Sequence, residues 1–513
     1  MSVSRQTRRN FLSASALSAA VALTPQAGSA APATRPNILF AIADDWSWPF
    51  ASIDGDKSVQ TPNFDRIARE GVLFRQAHTA APSCTASRGS ILSGQWFARL
   101  EQGGDLWGTL PSKVDVYPDI LERSGYCVGF TGKGWDPGDF RPGGRTRNPA
   151  GTEFNKRTAE LANKNISKLD YVSNFNDFLA TRKSGQPFCF WYGGHEPHRT
   201  YEAGSGVRAG KRLEDVRLPT GLPDSPEVRS DLLDYALEIE WFDTQLGRML
   251  RILEDAGELD NTLVVVTGDN GLPFPRAKAN VYGNGTHVPL AVRWGAKVPA
   301  GRTVDDFISL PDLAPTFLQA AGLQPTSAMT ARSFLDILKS KRSGRVDPRR
   351  ERIFAGRERH TIAQPDSAAG YPMRSIRTRD FLYVRNYRPE RFPTGVDTKK
   401  ANAYRDIDPG PAKTFMMDHR ADPVVANLFE LGFGKRPAEE LYDLRTDPAE
   451  QKNLVSDPAR AAIRTKLAAA LEAQLKAWKD PRAMGAGDEF DEYPYYGSRD
   501  VTNFFDKSAT PAK

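Results

Sequence analysis

Two hydrophobic periods alternate along the first two thirds of the chain. NILFAIA (37–43), YCVGF (126–130), PFCFWY (187–192) and TLVVV (262–266) are continuous apolar runs. Runs of this kind, with no polar alternation, read as strands covered on both faces. Between them lie segments with helical spacing. TPNFDRIAREG predicts a helix capped by Thr61, with Pro62 at its first position and Gly71 at its end. YPDILERSG predicts a short helix that feeds YCVGF. Leu232, Ala236, Ile239, Leu246, Leu250 and Leu253 mark one face of a long helix closed by Gly257. Asp243 falls on that apolar face, where a buried carboxylate needs hydrogen bonds, so a structural use is expected. Strand–helix–strand alternation points to an α/β domain with a largely parallel, doubly wound sheet.

After about residue 345 the texture changes. MRSIRT and FLYVRNY, joined by RD, predict a hairpin, and ELYDLRTDPAEQKNL predicts a strand and turn. Residues 458–479 predict an amphipathic helix with Ile463, Leu467, Leu471 and Leu475 on one stripe. The expected division is therefore a larger domain over 31–345 and a smaller α+β subdomain with an antiparallel sheet over 346–513. The Pro-, Gly- and charge-rich stretch 391–437 receives no element.

The first thirty residues are set apart from the fold. Arg8-Arg9 precede Phe11-Leu12, an Ala/Ser-rich apolar stretch runs to Leu23, and Gly28-Ser29-Ala30 supplies small residues for a peptidase. This predicts a twin-arginine export signal over 1–30 and a periplasmic or secreted protein; a Sec signal or a short membrane anchor is the alternative. The segment holds Arg5, Arg8 and Arg9 and no acid, so its removal lowers the formal charge from +6 to +3. That is no nucleic-acid footprint. No later segment has the eighteen or so apolar residues of a membrane span, so none is expected in the mature chain. Of the three cysteines, Cys127 and Cys189 lie in apolar runs and are expected as small buried thiols; Cys84, in PSCTASRGS, is not.

Four apolar runs end in polar groups: Asp44-Asp45, Lys133, His195 with His198, and Asp269-Asn270. In open α/β sheets ligands bind beyond the carboxyl ends of strands, which suggests one shared site. Asp44, Asp45, Asp269 and Asn270 form a hard-oxygen set suited to Ca²⁺ or Mg²⁺ rather than zinc. The same residues also suit turns and caps, DNG being a strong turn signal. Adjacent carboxylates after a buried strand nevertheless repel unless a cation or solvent offsets them. Ser83 is expected to cap a helix that starts at Cys84, with Arg88 on the same face. A helix N-terminus beside an arginine is suited to sulfate or phosphate; a capped helix with an inert cysteine is the alternative.

Cys-x-Ala-x-Arg with Ser-Gly soon after resembles the signature of the type I, formylglycine-dependent sulfatases. RPNILFAIADD, TPNFDRIAREGVLF, TGKG, LVVVTGDNG and LYDLRTDPAEQKNL are similar to further family segments along nearly the whole mature chain. The resemblance implies an alkaline-phosphatase-like fold: a large mixed or parallel sheet with helices on both faces and a smaller C-terminal subdomain. It implies conversion of Cys84 to Cα-formylglycine by a formylglycine-generating or anaerobic sulfatase-maturing enzyme, with the aldehyde hydrate as nucleophile. It further implies Ca²⁺ held by Asp44, Asp45, Asp269, Asn270 and residue 84. Arg88 would orient the formylglycine, Lys133 and Lys278 would hold sulfate oxygens, and His195 would act as general acid. Cations around the sulfuryl oxygens and a proton donor at the bridging atom are what a sulfate monoester needs in order to part.

GGHEPHR, DNGLPFPRAKANVYGNGTHVPL and GYPMRS look like the heparan N-sulfatase branch. They imply an N-sulfoglucosamine substrate, with His198, His360 and Arg374 as sugar or sulfate contacts; ordinary surface polarity is the alternative for those three. Two departures stand out. Trp135 replaces a His that many relatives carry, which leaves the base for sulfate elimination open, Asp269 being one alternative; Ala86 replaces the commoner Pro. Rival readings are an O-sulfatase on another polysaccharide, a phosphodiesterase or phosphonate hydrolase, a non-catalytic binder of sulfated glycans, and a cysteine hydrolase pairing Cys84 with His195.

Overall fold

The computed structural model describes residues 35–161, 163–365, 367–397 and 403–497. The expected signal over 1–30 lies outside them. The large sheet is built from β1 (Asn37–Ala43), β2 (Val72–His78), β3 (Cys127–Gly132), β4 (Thr152–Glu153), β5 (Phe188–Gly193), β6 (Thr262–Gly268), β7 (His287–Arg293), β8 (Arg302–Val304) and β9 (Ile308–Ser309). Its order is β4-β3-β5-β1-β6-β7-β2-β8, with β9 also on β2. Pairs from β4 through β6 are parallel, as are β2–β8 and β2–β9; β7 alone runs against its neighbours β6 and β2. The sheet is thus mixed but largely parallel, as the unbroken apolar runs require.

Each central strand divides its side chains between two cores. Leu39, Ala41 and Ala43 of β1 face one side, and Ile38, Phe40 and Ile42 the other. The first face is covered by α1 (Pro62–Arg69) and by a long helix, Pro226–Asp255, here α5. The opposite face is covered by α2 (Cys84–Ser93), α3 (Tyr117–Arg123) and α6 (Leu313–Ala320); α4 (Tyr171–Ala180) joins the first. The long-helix positions named from their spacing are all buried. Asp243 among them has a definite use. Its Oδ2 accepts from the Asn63 N–H at 3.0 Å and its Oδ1 from the Phe64 N–H at 2.7 Å. It therefore caps α1 from another helix, while the Thr61 hydroxyl, expected as that cap, turns to Asp65.

The second sheet is antiparallel, β10-β11-β12-β13, from Arg352–Arg357, Met373–Thr378, Phe381–Asn386 and Glu439–Asp443. The expected hairpin is β11–β12. The closing helix is Ala461–Ala477, here α9, and Leu467, Leu471 and Leu475 are its buried stripe. With Phe354, Ile376, Tyr383 and Leu441 they form a third core that also takes in Ala86 of α2 and Ala80, Ala81, Trp96 and Phe97 on either side of it. The second sheet thereby supports the helix that carries Cys84. The stretch without a sequence assignment contains α7 (Pro411–Asp418) and α8 (Pro423–Phe433), whose Ala412, Met416, Val425 and Phe433 pack into the first core of the large sheet.

Candidate functional site

The expected groups meet beyond the carboxyl ends of β1, β3, β5 and β6. Asp44 and Asp45 follow β1, and Asp45 takes φ 69°, a left-handed conformation that few residue types but Asp tolerate. Lys133 follows β3, whose last residue, Gly132, has φ 77°; a Cβ there would collide with the Gly193 carbonyl, so glycine lets β3 and β5 close together at the site. His195 and His198 follow β5, and Asp269 and Asn270 follow β6. Cys84 is the first residue of α2, with Ser83 at the cap position. The Ser83 hydroxyl does not cap the helix; it shares a 2.9 Å hydrogen bond with Nδ1 of His360, from beyond β10.

Ligand-type atoms of Asp44, Asp45, Cys84 and Asp269 lie within 4.8 Å of one another. Cys84 Sγ is 3.4 Å from Asp44 Oδ1, and Asn270 Nδ2 is 3.7 Å from the same sulfur. Basic groups enclose the acids. Arg88 Nε donates to Asp269 Oδ2 at 2.8 Å, and its Nη1 to the Lys133 and Gly134 carbonyls at 2.7 and 3.1 Å. Its Nη2 stands 3.6 Å from Asp44 and is a buried donor without a hydrogen-bond partner among the described residues. Lys133 Nζ donates to Asp44 Oδ2 at 2.6 Å, and Lys278 Nζ to both oxygens of Asp45 at 2.8 and 2.6 Å.

Burial governs the titration of these groups. It pushes Asp45 up to about 7 against the pull of Lys278, and Asp269 up to about 6 against that of Arg88. Asp44 is the exception: burial raises it, but Lys133, His198 and Arg88 outweigh that and hold it well below the usual carboxylate range. Three carboxylates this close and this dry repel one another despite their basic partners; a hard divalent cation among them would favour their joint ionisation, so the donor set fits Ca²⁺. Burial, then Asp44, raises the Cys84 thiol far above its ordinary value. A buried thiol held protonated is a poor nucleophile, which speaks against a cysteine hydrolase.

His198 enters the cluster. Its Nδ1 donates to the Arg199 carbonyl at 2.6 Å, and its Nε2 stands 3.8 Å from Asp45 Oδ2. Burial pushes it down to about 4, so near neutrality the ring is uncharged and Nε2 carries a lone pair. His195 is half-buried on the same loop, its backbone N–H on the Tyr171 hydroxyl at 3.1 Å. His360 reaches the site's rim through Ser83. Arg374 does not join them, a correction to the expected sugar or sulfate contact. It is fully buried, with Nε on Asp480 at 2.8 Å and Nη2 on Glu358 at 2.6 Å, beneath the second sheet against Phe97. A motif fixes where an arginine sits in a strand but not which face of a two-sided sheet it enters. Cys189 is buried as expected, whereas Cys127 is partly exposed at the start of β3, and all three cysteines are free. Trp135 is wholly buried and offers no base. Asp408 was missed: 3% exposed, it stands 3.3 Å from Lys278. It lies in the unassigned stretch, where no strand end or motif signals it.

Acids placed where they could hold a cation, a ring of basic groups and a helix N-terminus at the mouth of this sheet are the arrangement of a hydrolase of anionic esters on an alkaline-phosphatase-like fold. The chain belongs to the sulfatase family: the Sulfatase family model matches residues 36–323, and that of the N-sulphoglucosamine sulphohydrolase C-terminal region matches residues 276–399. It is a sulfate ester or sulfamate hydrolase. Among curated relatives, it is 28% identical over 496 residues to human N-sulphoglucosamine sulphohydrolase, covering 87% of this chain and 90% of that one. It is likewise 28% identical over 458 residues to an ulvan-active sulfatase of Formosa agariphila, covering 83% and 72%. Among solved structures, a protein in complex with its substrate D-glucosamine-2-N,6-O-disulfate aligns with TM-score 0.64 at 21% identity over 87% of this chain and 98% of that one. The phosphonate monoester hydrolase of Agrobacterium radiobacter aligns at 0.61 and 19% over 86% and 96%. At these identities the structures speak for the fold alone. No helix among the described residues is long and apolar enough to cross a membrane.

Proposed function

We propose that the protein removes the sulfate group of N-sulfoglucosamine in heparan-type saccharides, with residue 84 as formylglycine and Ca²⁺ as its resident metal. One observation carries the formylglycine reading: Cys84 opens a helix within 3.4 Å of Asp44, in a cluster with Asp45 and Asp269 and beside Arg88. Asp44, Asp45, Asp269 and Asn270 would hold the cation, whose charge draws sulfuryl oxygens and lets the carboxylates ionise together. The aldehyde hydrate that the family forms at this position supplies two hydroxyls, one to attack sulfur and one to release sulfate. The rest falls to this chain's own side chains. Arg88, anchored on Asp269 and two carbonyls with Nη2 3.6 Å from Asp44, would orient residue 84. Lys133 and Lys278 neutralise sulfuryl oxygens, and His195 protonates the leaving nitrogen. With Trp135 in place of a base, Asp269 is the alternative acceptor of the proton in the elimination step.

The similarity to human N-sulphoglucosamine sulphohydrolase over most of both chains, and the match to that enzyme's C-terminal model, support N-sulfoglucosamine. A second reading, an O-sulfatase on another sulfated polysaccharide, is favoured by the equal identity to the ulvan-active sulfatase. Maturation by a formylglycine-generating or anaerobic sulfatase-maturing enzyme and export through the twin-arginine signal complete the proposal. Peptide mass spectrometry of active protein is expected to find an aldehyde at residue 84; an unmodified thiol would overturn the mechanism. Sulfate release is expected to be faster from N-sulfoglucosamine than from glucosamine 6-sulfate, and the reverse order would select the second reading.

A further inference from the structure

Asp408 is held in place more firmly than a loop residue needs to be. Two residues before it, Asp406 Oδ1 accepts from the Thr361 N–H at 2.8 Å and hydroxyl at 2.6 Å, with Arg357 at 3.5 Å. Beyond it, Asp231 takes the Ala412 N–H at 3.0 Å while gripping Arg199 through both oxygens. Lys413 closes the segment onto the carbonyls of Tyr404 and Ile407 at 3.2 and 2.7 Å. The Asp408 backbone is thus pinned on both sides, and its side chain enters the cluster.

What the side chain finds there is incomplete. Asp408 Oδ2 is buried and has no hydrogen-bond partner among the described residues. Lys278 Nζ, at 3.3 Å, forms an ion pair with Asp408, while its hydrogen bonds run to both oxygens of Asp45. Asp45, His198 and Asp408 bring their ligand-type atoms within 4.8 Å of one another, yet neither neighbour hydrogen-bonds Asp408 Oδ2 among the described residues, and the His198 Nδ1–H is given to the Arg199 carbonyl. A dry carboxylate oxygen without a donor is costly, and a second carboxylate beside Asp45 adds repulsion. The group that would complete the site is an N–H or O–H donor from outside the chain. Because Lys278 lies between Asp45 and Asp408, that donor belongs close to the sulfuryl group Lys278 would hold.

We propose that Asp408 is a specificity-determining residue that accepts a hydrogen bond from a hydroxyl or N–H of the saccharide, next to the atom that bears sulfate. The assignment rests on the sulfated-saccharide reading above. A simpler role as counter-ion of Lys278 makes the opposite prediction for bare sulfate. Titration calorimetry of the full-length protein with Ca²⁺ present, using N-sulfoglucosamine and inorganic sulfate as probes, separates the two. Asp408→Asn keeps the volume, and Asp408→Ala removes the acceptor; both are expected to bind N-sulfoglucosamine about tenfold or more weakly. Both should bind sulfate as tightly as the wild type or more so, because a negative charge has left the side of Lys278. Unchanged saccharide affinity, equal weakening of both probes, or a wild type that does not bind N-sulfoglucosamine would overturn the assignment. A wild type that binds the saccharide but releases no sulfate, with the Asp408 difference intact, would sink the catalytic reading and leave this one standing.

Discussion

Replacing Arg374 with methionine removes a fully buried guanidinium that serves two carboxylates and two carbonyls. Arg374 donates to Asp480 at 2.8 and 3.2 Å, to Glu358 at 2.6 Å, and to the Arg357 and Met373 carbonyls at 3.1 and 3.0 Å. Removing one partner of such a buried ion pair costs about 3–5 kcal/mol, because the other charge stays behind undischarged. Here each carboxylate keeps a donor. Asp480 retains the Trp96 indole N–H at 2.6 Å and the Arg482 N–H at 2.9 Å, and Glu358 retains the Arg482 guanidinium at 2.8 Å. The loss should therefore lie near the lower end, about 3 kcal/mol. It should also depend on pH. Burial raises Asp480, but Arg374, with the Trp96 indole and the Arg482 N–H, outweighs burial and leaves it below the ordinary 3.8. A depressed carboxylate contributes its stability above the unfolded value and loses it as pH falls through the folded one. The gap between wild type and Arg374→Met should be full at neutral pH and narrow below 3.8. Denaturant midpoints at pH 7 and pH 3 measure this, and sulfate release by folded variant measures function. An unchanged midpoint with a large rise in KM would refute the reasoning and return Arg374 to the substrate.

Lys133→Ala removes the ammonium 2.6 Å from Asp44 and is expected to lower kcat at least about 100-fold with the fold intact; an unchanged kcat would show that Lys133 does not meet the reacting group. Asp243→Ala leaves the Asn63 and Phe64 N–H groups of α1 without their acceptor and should cost about 2 kcal/mol in denaturant titrations, with turnover per folded molecule retained. Chelation of divalent ions should lower both activity and melting temperature, because Asp44, Asp45 and Asp269 would then lose the cation that offsets their mutual repulsion beyond what their basic partners supply. Ca²⁺ should restore both and Zn²⁺ should not; equal recovery with zinc would contradict the hard-oxygen reading.

Much of the site was legible because its parts lie at strand ends. An unbroken apolar run specifies a strand covered on both faces, and the residue after it is placed at the sheet's mouth whatever the rest of the chain does. Asp44-Asp45, Lys133, the His195–His198 loop and Asp269-Asn270 were found in this way, and Cys84 and Arg88 by their spacing on one short helix. Hydrogen-bond partners were not legible to the same degree. Thr61 and Ser83 stand at helix starts as their type predicts, yet one turns to Asp65 and the other to His360, while Asp243 caps α1 from 179 residues away.

The sequence by itself determined the apolar strands β1, β3, β5 and β6 with their two-sided burial, the helices α1, α3 and α5, and the acids and bases that follow those strands, because each depends on neighbours a few residues apart. Only the tertiary structure decided that Arg374 binds Asp480 beneath the second sheet and that Asp408 comes to Lys278. A long polar side chain has many acceptors within reach of its element. The choice among them is made by which elements the two cores bring together, and no local pattern records that.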